Sequence, residues 1–274
     1  MMQGMPSMRE RLDAGQLVLC MALTQARTAD IPMIAAAAGF DAVYVDLEHT
    51  AISLETTALL CSGAIGAGIT PLVRVPAHDH QYLTRCLDVG AMGVIVPHVE
   101  TRAEAEQIVD ACRFPPRGHR SVSGPNPANR YQPMPQQELL DFFDAQTVLA
   151  AMLETPDAIA RADEIASVPG LDMVMIGPHD LTCSLGIPEQ YDHPRFKEAV
   201  LQILRTSRAK GLGFGVHFWR DPERHIEWVR AGANLIMHHG DVSLFTQTLR
   251  QDLRKIKEAL QDAQPQSAST EIAV

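Results

Sequence analysis

VLAAMLETPDAIARADEIASVPGLDMVMIGPHD, residues 148–180, is the stretch whose pattern decides the fold. Two short apolar runs, VLAAML at 148–153 and MVMI at 173–176, flank a longer amphipathic stretch near 155–166. That order, strand then helix then strand, is the signature of parallel strands joined by a crossover helix. Gly170 sits where the helix must turn back toward the second strand, and glycine takes the left-handed conformation of a helix C-terminus at little cost.

Working outward in both directions, the same unit repeats until eight strands are accounted for. They fall at 17–23, 42–46, 70–75, 93–97, 148–153, 173–176, 213–217 and 235–238. Helical stretches lie near 28–38, 53–66, 80–89, 102–112, 155–166, 194–210, 222–231 and 242–261, and Gly39, Gly68, Gly90, Gly211 and Gly232 repeat the closing role of Gly170. Eight such pairs with short connections favour a closed (β/α)8 TIM barrel, an α/β fold, over an open doubly wound sheet. No GxGxxG follows the first strand, which removes the dinucleotide-binding signature. One barrel domain is expected over residues 1–262, with a disordered tail at 263–274. The longest irregular stretch, 113–137, follows strand four and is expected on the active-site face.

Composition narrows the function. A net charge of -10 argues against binding to nucleic acid or an anionic membrane, which attract basic patches. An acidic surface with isolated arginines suits a small anionic substrate. The five cysteines are scattered and lack CxxC spacing, so a reduced, cytoplasmic protein is the simpler expectation. The N-terminal MMQGMPSMRERLDAGQ lacks the apolar core of a secretory signal, and no apolar run is long enough to span a bilayer.

In this fold the reacting groups sit at the C-terminal ends of strands. Those ends supply Asp46-Leu47-Glu48-His49, Arg74, Glu154, Gly177-Pro178-His179-Asp180, His217 and His238-His239-Gly240-Asp241. Glu154 and Asp180 follow adjacent strands, so two carboxylates stand side by side, where mutual repulsion calls for a cation. Each alone could equally serve a helix N-terminus. An all-oxygen donor set suits Mg²⁺ or Mn²⁺, with Co²⁺ or Zn²⁺ as other candidates, and histidines 217, 238 and 239 keep a zinc-like arrangement open. Imidazole titrates near neutrality, which makes His49, beside Asp46 and Glu48, the general-base candidate; a histidine merely hydrogen-bonded by those carboxylates is the alternative. Arg74 either pairs with Asp46 or Glu48 or meets an anion. Arg120, in the long loop, is a candidate for an anionic substrate tail.

At these positions the sequence resembles the HpcH/HpaI aldolases, the metal-dependent class II pyruvate aldolases. The resemblance runs from about residue 10 to 255 and is carried by GFDAVYVDLEH at 39–49, LVRV at 72–75, LDVGAMGVIVPHVET at 87–101, FPPRGHRSV at 114–122, LETPDAI at 153–159 and GLDMVMIGPHDLTCSLG at 170–186. It implies a barrel of the phosphoenolpyruvate/pyruvate-domain type, assembled as a hexamer (a trimer of dimers) with an exchanged C-terminal helix. It implies reversible joining of pyruvate or hydroxypyruvate to an aldehyde. Carried over, Glu154 and Asp180 are the metal ligands, His49 the base, Arg74 the arginine beside the substrate oxygen and Asp46 the carboxylate that orients the histidine. The main chain of Gly177, Pro178, His179 and Asp180 would receive the substrate carboxylate. Met152 departs from the family's Gln-x-Glu pattern, and His179 stands where a small residue is frequent; both bear on substrate scope.

A Schiff-base mechanism would need a lysine inside the barrel, and none of the eight strands contains one. Decarboxylation of an oxaloacetate-type acid, cleavage of a malyl-CoA-type thioester and non-catalytic binding of a metabolite are the competing readings of the same constellation.

Overall fold

The structure is a computed structural model that describes residues 7–219 and 221–262. Its strands are β1 Val18–Leu23, β2 Ala42–Asp46, β3 Thr70–Arg74, β4 Gly93–Val96, β5 Val148–Met152, β6 Met173–Ile176, β7 Gly213–Phe218 and β8 Leu235–Gly240. They close into a parallel barrel in sequence order, with β8 returning to pair with β1. The helices are α1 Met8–Asp13, α2 Asp30–Ala37, α3 Leu54–Ala67, α4 His80–Asp88, α5 Arg102–Cys112 and α6 Gln136–Gln146. After β5 come α7 Pro156–Ala160, α8 Ala162–Ala166, α9 Pro178–Ser184, α10 Pro194–Ala209, α11 Pro222–Ala231 and α12 Asp241–Asp262. The expected TIM barrel and its eight strands are therefore present, and the tail at 263–274 lies outside the described residues.

Because successive side chains of a strand point to opposite faces, each strand feeds two cores. Leu149, Ala151 and Leu153 of β5 and its extension join the large core between barrel and helices, whereas Val148, Ala150 and Met152 point inward. On β6 the inward pair is Met173 and Met175, on β2 Ala42 and Tyr44, and on β8 Leu235 and Met237. Met8 and Leu12 of α1 pack into the same interior cluster and plug the N-terminal end of the barrel. The inner core is therefore a stack of side chains, rich in methionine, that is floored by a helix at the N-terminal end of the barrel.

The segment 113–137 lies on the opposite face from the one expected. It follows α5, which carries the chain back to the N-terminal end of the barrel, so it connects a helix to a strand rather than a strand to a helix. Its contacts agree: Arg113, fully buried, donates to the carbonyls of Asp144, Thr147 and Gly170 and to the carboxylate of Asp172, all just before strands begin. Part of the stretch is ordered as a 3₁₀ turn at Pro127–Asn129, capped by Asn126, and α6 follows with Leu139 and Phe143 against Phe114. Two further helices, α1 and α9, are too short to have shown a period in the sequence. The helix expected over 155–166 is broken at Arg161 into α7 and α8.

Candidate active site

Two residues beyond Met152, the inward alternation of β5 reaches Glu154; two beyond Met175, that of β6 reaches Gly177. Glu154 is 2% exposed. A Cβ built on Gly177 would overlap its carboxylate, with the carboxyl carbon at 2.9 Å, so only glycine leaves room for this acid. Burial pushes the Glu154 carboxyl up to about 7, with Asp180 adding to the rise and His98 opposing it. Asp180, in the first turn of α9, shares a cavity of ≈ 230 Å³ with Glu154, Arg74, His49, His179, His217 and Trp219.

On the far wall, Asp46 and Arg74 are partners in the register of β2 and β3 and both point inward. The guanidinium grips Asp46 with both ends of its fork, Nε to Oδ1 at 3.0 Å and Nη2 to Oδ2 at 2.8 Å. Its remaining nitrogen, Nη1, lies 3.0 Å from Glu48 Oε2. Burial opposes this charge, and the bonds and charge of Asp46 more than offset it, so Arg74 stays protonated. The ion pair and the cavity position thus coexist: two carboxylates aim the arginine, and its flank faces the cavity.

The expected link from Asp46 to the His49 ring is replaced by a main-chain one. Asp46 Oδ1 accepts from the backbone N–H groups of Glu48, at 3.0 Å, and His49, at 3.4 Å. The exposed His49 ring instead has Nε2 3.7 Å from Glu48 Oε2. The reason is Arg74, which occupies both Asp46 oxygens.

Two other expectations change. Arg120 is buried at the N-terminal end, paired with Asp88 Oδ1 at 2.9 Å and stacked over Phe114, because its loop lies there; it does not reach the cavity. Met152 belongs to the apolar layer beneath the cavity rather than to its lining. Gly177, Pro178 and His179 do line it.

Of the histidines that kept a zinc-like site open, His238 and His239 have ring centroids 4.4 Å apart, without forming a three-ligand group with His217. His217 faces inward against Trp219, with centroids 4.5 Å apart, while His238 meets His225 at 3.1 Å on the helix side and His239 meets Ser243. Burial drives His217 down to about 3, Arg74 and His179 adding to the effect, so its imidazole is neutral. Among the described residues no three His, Cys, Asp or Glu side chains form a ready metal cluster.

Sequence reasoning missed Tyr44, Trp219 and His98. The first two obey the inward alternation and were readable from it: Tyr44 precedes Asp46 by two residues, and Trp219 follows His217 by two. Tyr44 lies 3.5 Å from His217 Nε2 through its hydroxyl. His98 gave no such signal, since it sits beyond β4 with a left-handed φ of 54°. That turn puts its backbone N–H and Nδ1 each 3.2 Å from Glu154 Oε2 and its Nε2 3.1 Å from Glu48 Oε1.

The family model for HpcH/HpaI aldolase/citrate lyase matches residues 18–247. The 4-hydroxy-4-methyl-2-oxoglutarate aldolase of Hapsidospora irregularis is 33% identical over 221 residues, covering 80% of this chain and 82% of that protein. The 5-keto-4-deoxy-D-glucarate aldolase of Shigella boydii serotype 18 is 30% identical over 226 residues, covering 80% and 85%. Among solved structures, an HpcH/HpaI aldolase from Desulfitobacterium hafniense superposes with a TM-score of 0.88 at 30% identity, over 92% of this chain and 97% of that one. The chain belongs to the HpcH/HpaI aldolase/citrate lyase family and is a carbon–carbon lyase that cleaves aldols of 2-oxo acids.

Proposed function

We propose that Glu154 and Asp180 hold a divalent cation, Mg²⁺ or Mn²⁺, and that the cavity above them binds pyruvate or hydroxypyruvate for reversible aldol addition to an aldehyde. One observation carries this reading. Glu154 is a buried carboxylate with no lysine or arginine against it among the described residues, beside a second carboxylate and in a recess that only Gly177 leaves open. An all-oxygen donor set with open positions fits a hard cation better than a thiolate-seeking one.

When bound, the cation supplies Lewis acidity toward the 2-oxo group. Arg74, fixed by Asp46 and Glu48, adds positive charge where charge develops on that oxygen. The main-chain N–H groups of His179 and Asp180 receive the substrate carboxylate at the start of α9. His49 moves the proton between the aldol hydroxyl and water. Tyr44 and neutral His217 close the floor behind the substrate.

Chelation tests it. Enzyme stripped with EDTA should lose proton exchange at the pyruvate methyl group, regain it with Mn²⁺, and bind Mn²⁺ by calorimetry; full activity without metal would end the cation reading.

Assembly with copies of itself, as a hexamer, is part of the same proposal. The last helix of a closed barrel would cover the seam between β8 and β1, yet Leu17 and Leu19 there remain 36% and 37% exposed. An apolar groove of ≈ 260 Å³, lined by Leu19, Phe40, Ile226 and Ile236, runs over that seam. α12 meanwhile leaves Phe245, Leu249, Leu253, Ile256 and Leu260 exposed, a helical stripe that matches such a groove. Helix exchange between copies satisfies both surfaces.

A further inference from the structure

His179 lines the cavity from the first turn of α9, beside Asp180 and across from Arg74. Its ring is exposed and is held at one nitrogen. Nδ1 lies 3.0 Å from the hydroxyl of Tyr191, and the two rings sit 5.8 Å apart. Tyr191 is held in turn: its ring meets Phe218 edge-on at 5.3 Å and Phe196 at 5.7 Å. Arg224 stacks above it at 5.4 Å and is fixed by Asp221 and Asp192. A tyrosine clamped on three sides, with its one polar atom turned to a cavity histidine, is a device for orienting that histidine.

We infer that His179, oriented by Tyr191, selects the electrophile, favouring carbonyl compounds that carry an oxygen on the carbon next to the carbonyl over alkyl ones. The inference rests on the aldol reading proposed above. With the tyrosine O–H donating to Nδ1, the imidazole carries its proton on Nε2, the ring's other nitrogen. Arg74 is already committed to Asp46 and Glu48, and Glu154 and Asp180 repel an electron-rich oxygen unless a cation intervenes. His179 thus offers a donor to the half of the substrate that faces away from the 2-oxo acid. An alkyl group of the same size covers that N–H without pairing it, and a site that hydrogen-bonds its substrate disfavours the analogue that cannot. Hydroxyl and carboxylate oxygens share this chemistry. Tyr191 is a positioning residue, since it acts only through the histidine.

The test is aldol addition to pyruvate with glycolaldehyde, its isostere propanal, and glyoxylate, comparing wild type with Tyr191→Phe, His179→Ala and His179→Gln. Wild type should prefer glycolaldehyde to propanal in kcat/KM by about tenfold, the scale of one hydrogen bond. Tyr191→Phe should bring that ratio close to one through KM, His179→Ala should abolish it, and His179→Gln, which keeps an N–H donor, should restore part of it. A ratio is insensitive to a general loss of folded enzyme. Glyoxylate outpacing glycolaldehyde would make a carboxylate the preferred oxygen, the reverse order a hydroxyl. No preference in wild type, or the same preference in Tyr191→Phe and His179→Ala, would overturn the inference. Failure of the underlying reading shows separately, as wild type that takes no deuterium from solvent into the pyruvate methyl group.

Discussion

Asp172, just before β6, and Glu154, just after β5, are carboxylates buried at opposite ends of the same barrel, 5% and 2% exposed. Burial raises the pKa of both. The chain answers the first charge in full: Asp172 accepts from Arg113 and, at 2.8 Å, from the Leu149 N–H, while Arg9 lies 2.8 Å from its other oxygen. Among the described residues it answers the second only through His98, with Gly177 keeping the space around it clear. A buried acid matched by arginines fastens strands and helices together. A buried acid left short of positive charge keeps binding capacity in reserve, at a cost to folding.

The sharpest way to break the comparison is to neutralise each acid. Glu154→Gln should lower turnover by about a thousandfold or more, the loss expected when several kcal/mol of charge stabilisation goes, while thermal unfolding is unchanged or rises. Asp172→Ala should do the reverse, lowering stability by roughly 3–5 kcal/mol because it leaves Arg113 buried and unpaired. Melting curves and steady-state rates on both variants decide it, and equal loss of stability in the two would collapse the distinction.

Gly177→Ala asks whether the space around Glu154 matters. The added Cβ forces the carboxylate aside, and Mn²⁺ affinity by calorimetry should fall roughly ten- to a hundredfold, the range for disturbed support of a metal ligand. Unchanged affinity would mean that Glu154 does not bind the ion.

The open end should also set acid sensitivity. His217 titrates at about 3 in the folded chain and near 6.5 when unfolded. Its contribution is therefore fully present above pH 6.5 and is lost as pH falls from there toward 3, by on the order of a few kcal/mol. His225, down at about 4, acts in the same direction. His217→Asn should flatten the stability profile below pH 6.5 without removing the slope, as chemical denaturation at several pH values would show.

The smallest effect belongs to the closed end. Arg120→Ala removes an ion pair with Asp88 and a stack on Phe114, so stability should drop by about 1–3 kcal/mol with the KM for pyruvate unchanged. A rise in that KM would return Arg120 to the substrate.

Most of the barrel was legible because its strands are short and apolar and six of them, all but β1 and β5, follow one of the glycines that close the preceding helix. The helices Gly39 to Gly232 close were found for the same reason, and all of these glycines have positive φ. The acids and Arg74 were legible as charges at the ends of apolar runs. The face of segment 113–137 was misread since the run was counted from strand four without following α5 back down. His98 was hidden because its role depends on one left-handed residue, which strand alternation does not describe. The pairing of Arg74 with Asp46 or Glu48 was one of two readings the sequence offered, whereas the tie of Tyr191 to His179 depends on contact across loops, which spacing along one chain does not show.

The inner layer beneath the cavity holds Met152, Met173, Met175 and Met237, each at most 1% exposed, whereas Met33 on α2 is 53% exposed. Thioethers oxidise only where peroxide can reach the sulfur. The four inner sulfurs can react only when the closed sheet parts, since α1 blocks one end and packed side chains the other. Their mass increase in dilute peroxide, counted against the prompt reaction of Met33, is thus a built-in clock for how often the barrel opens.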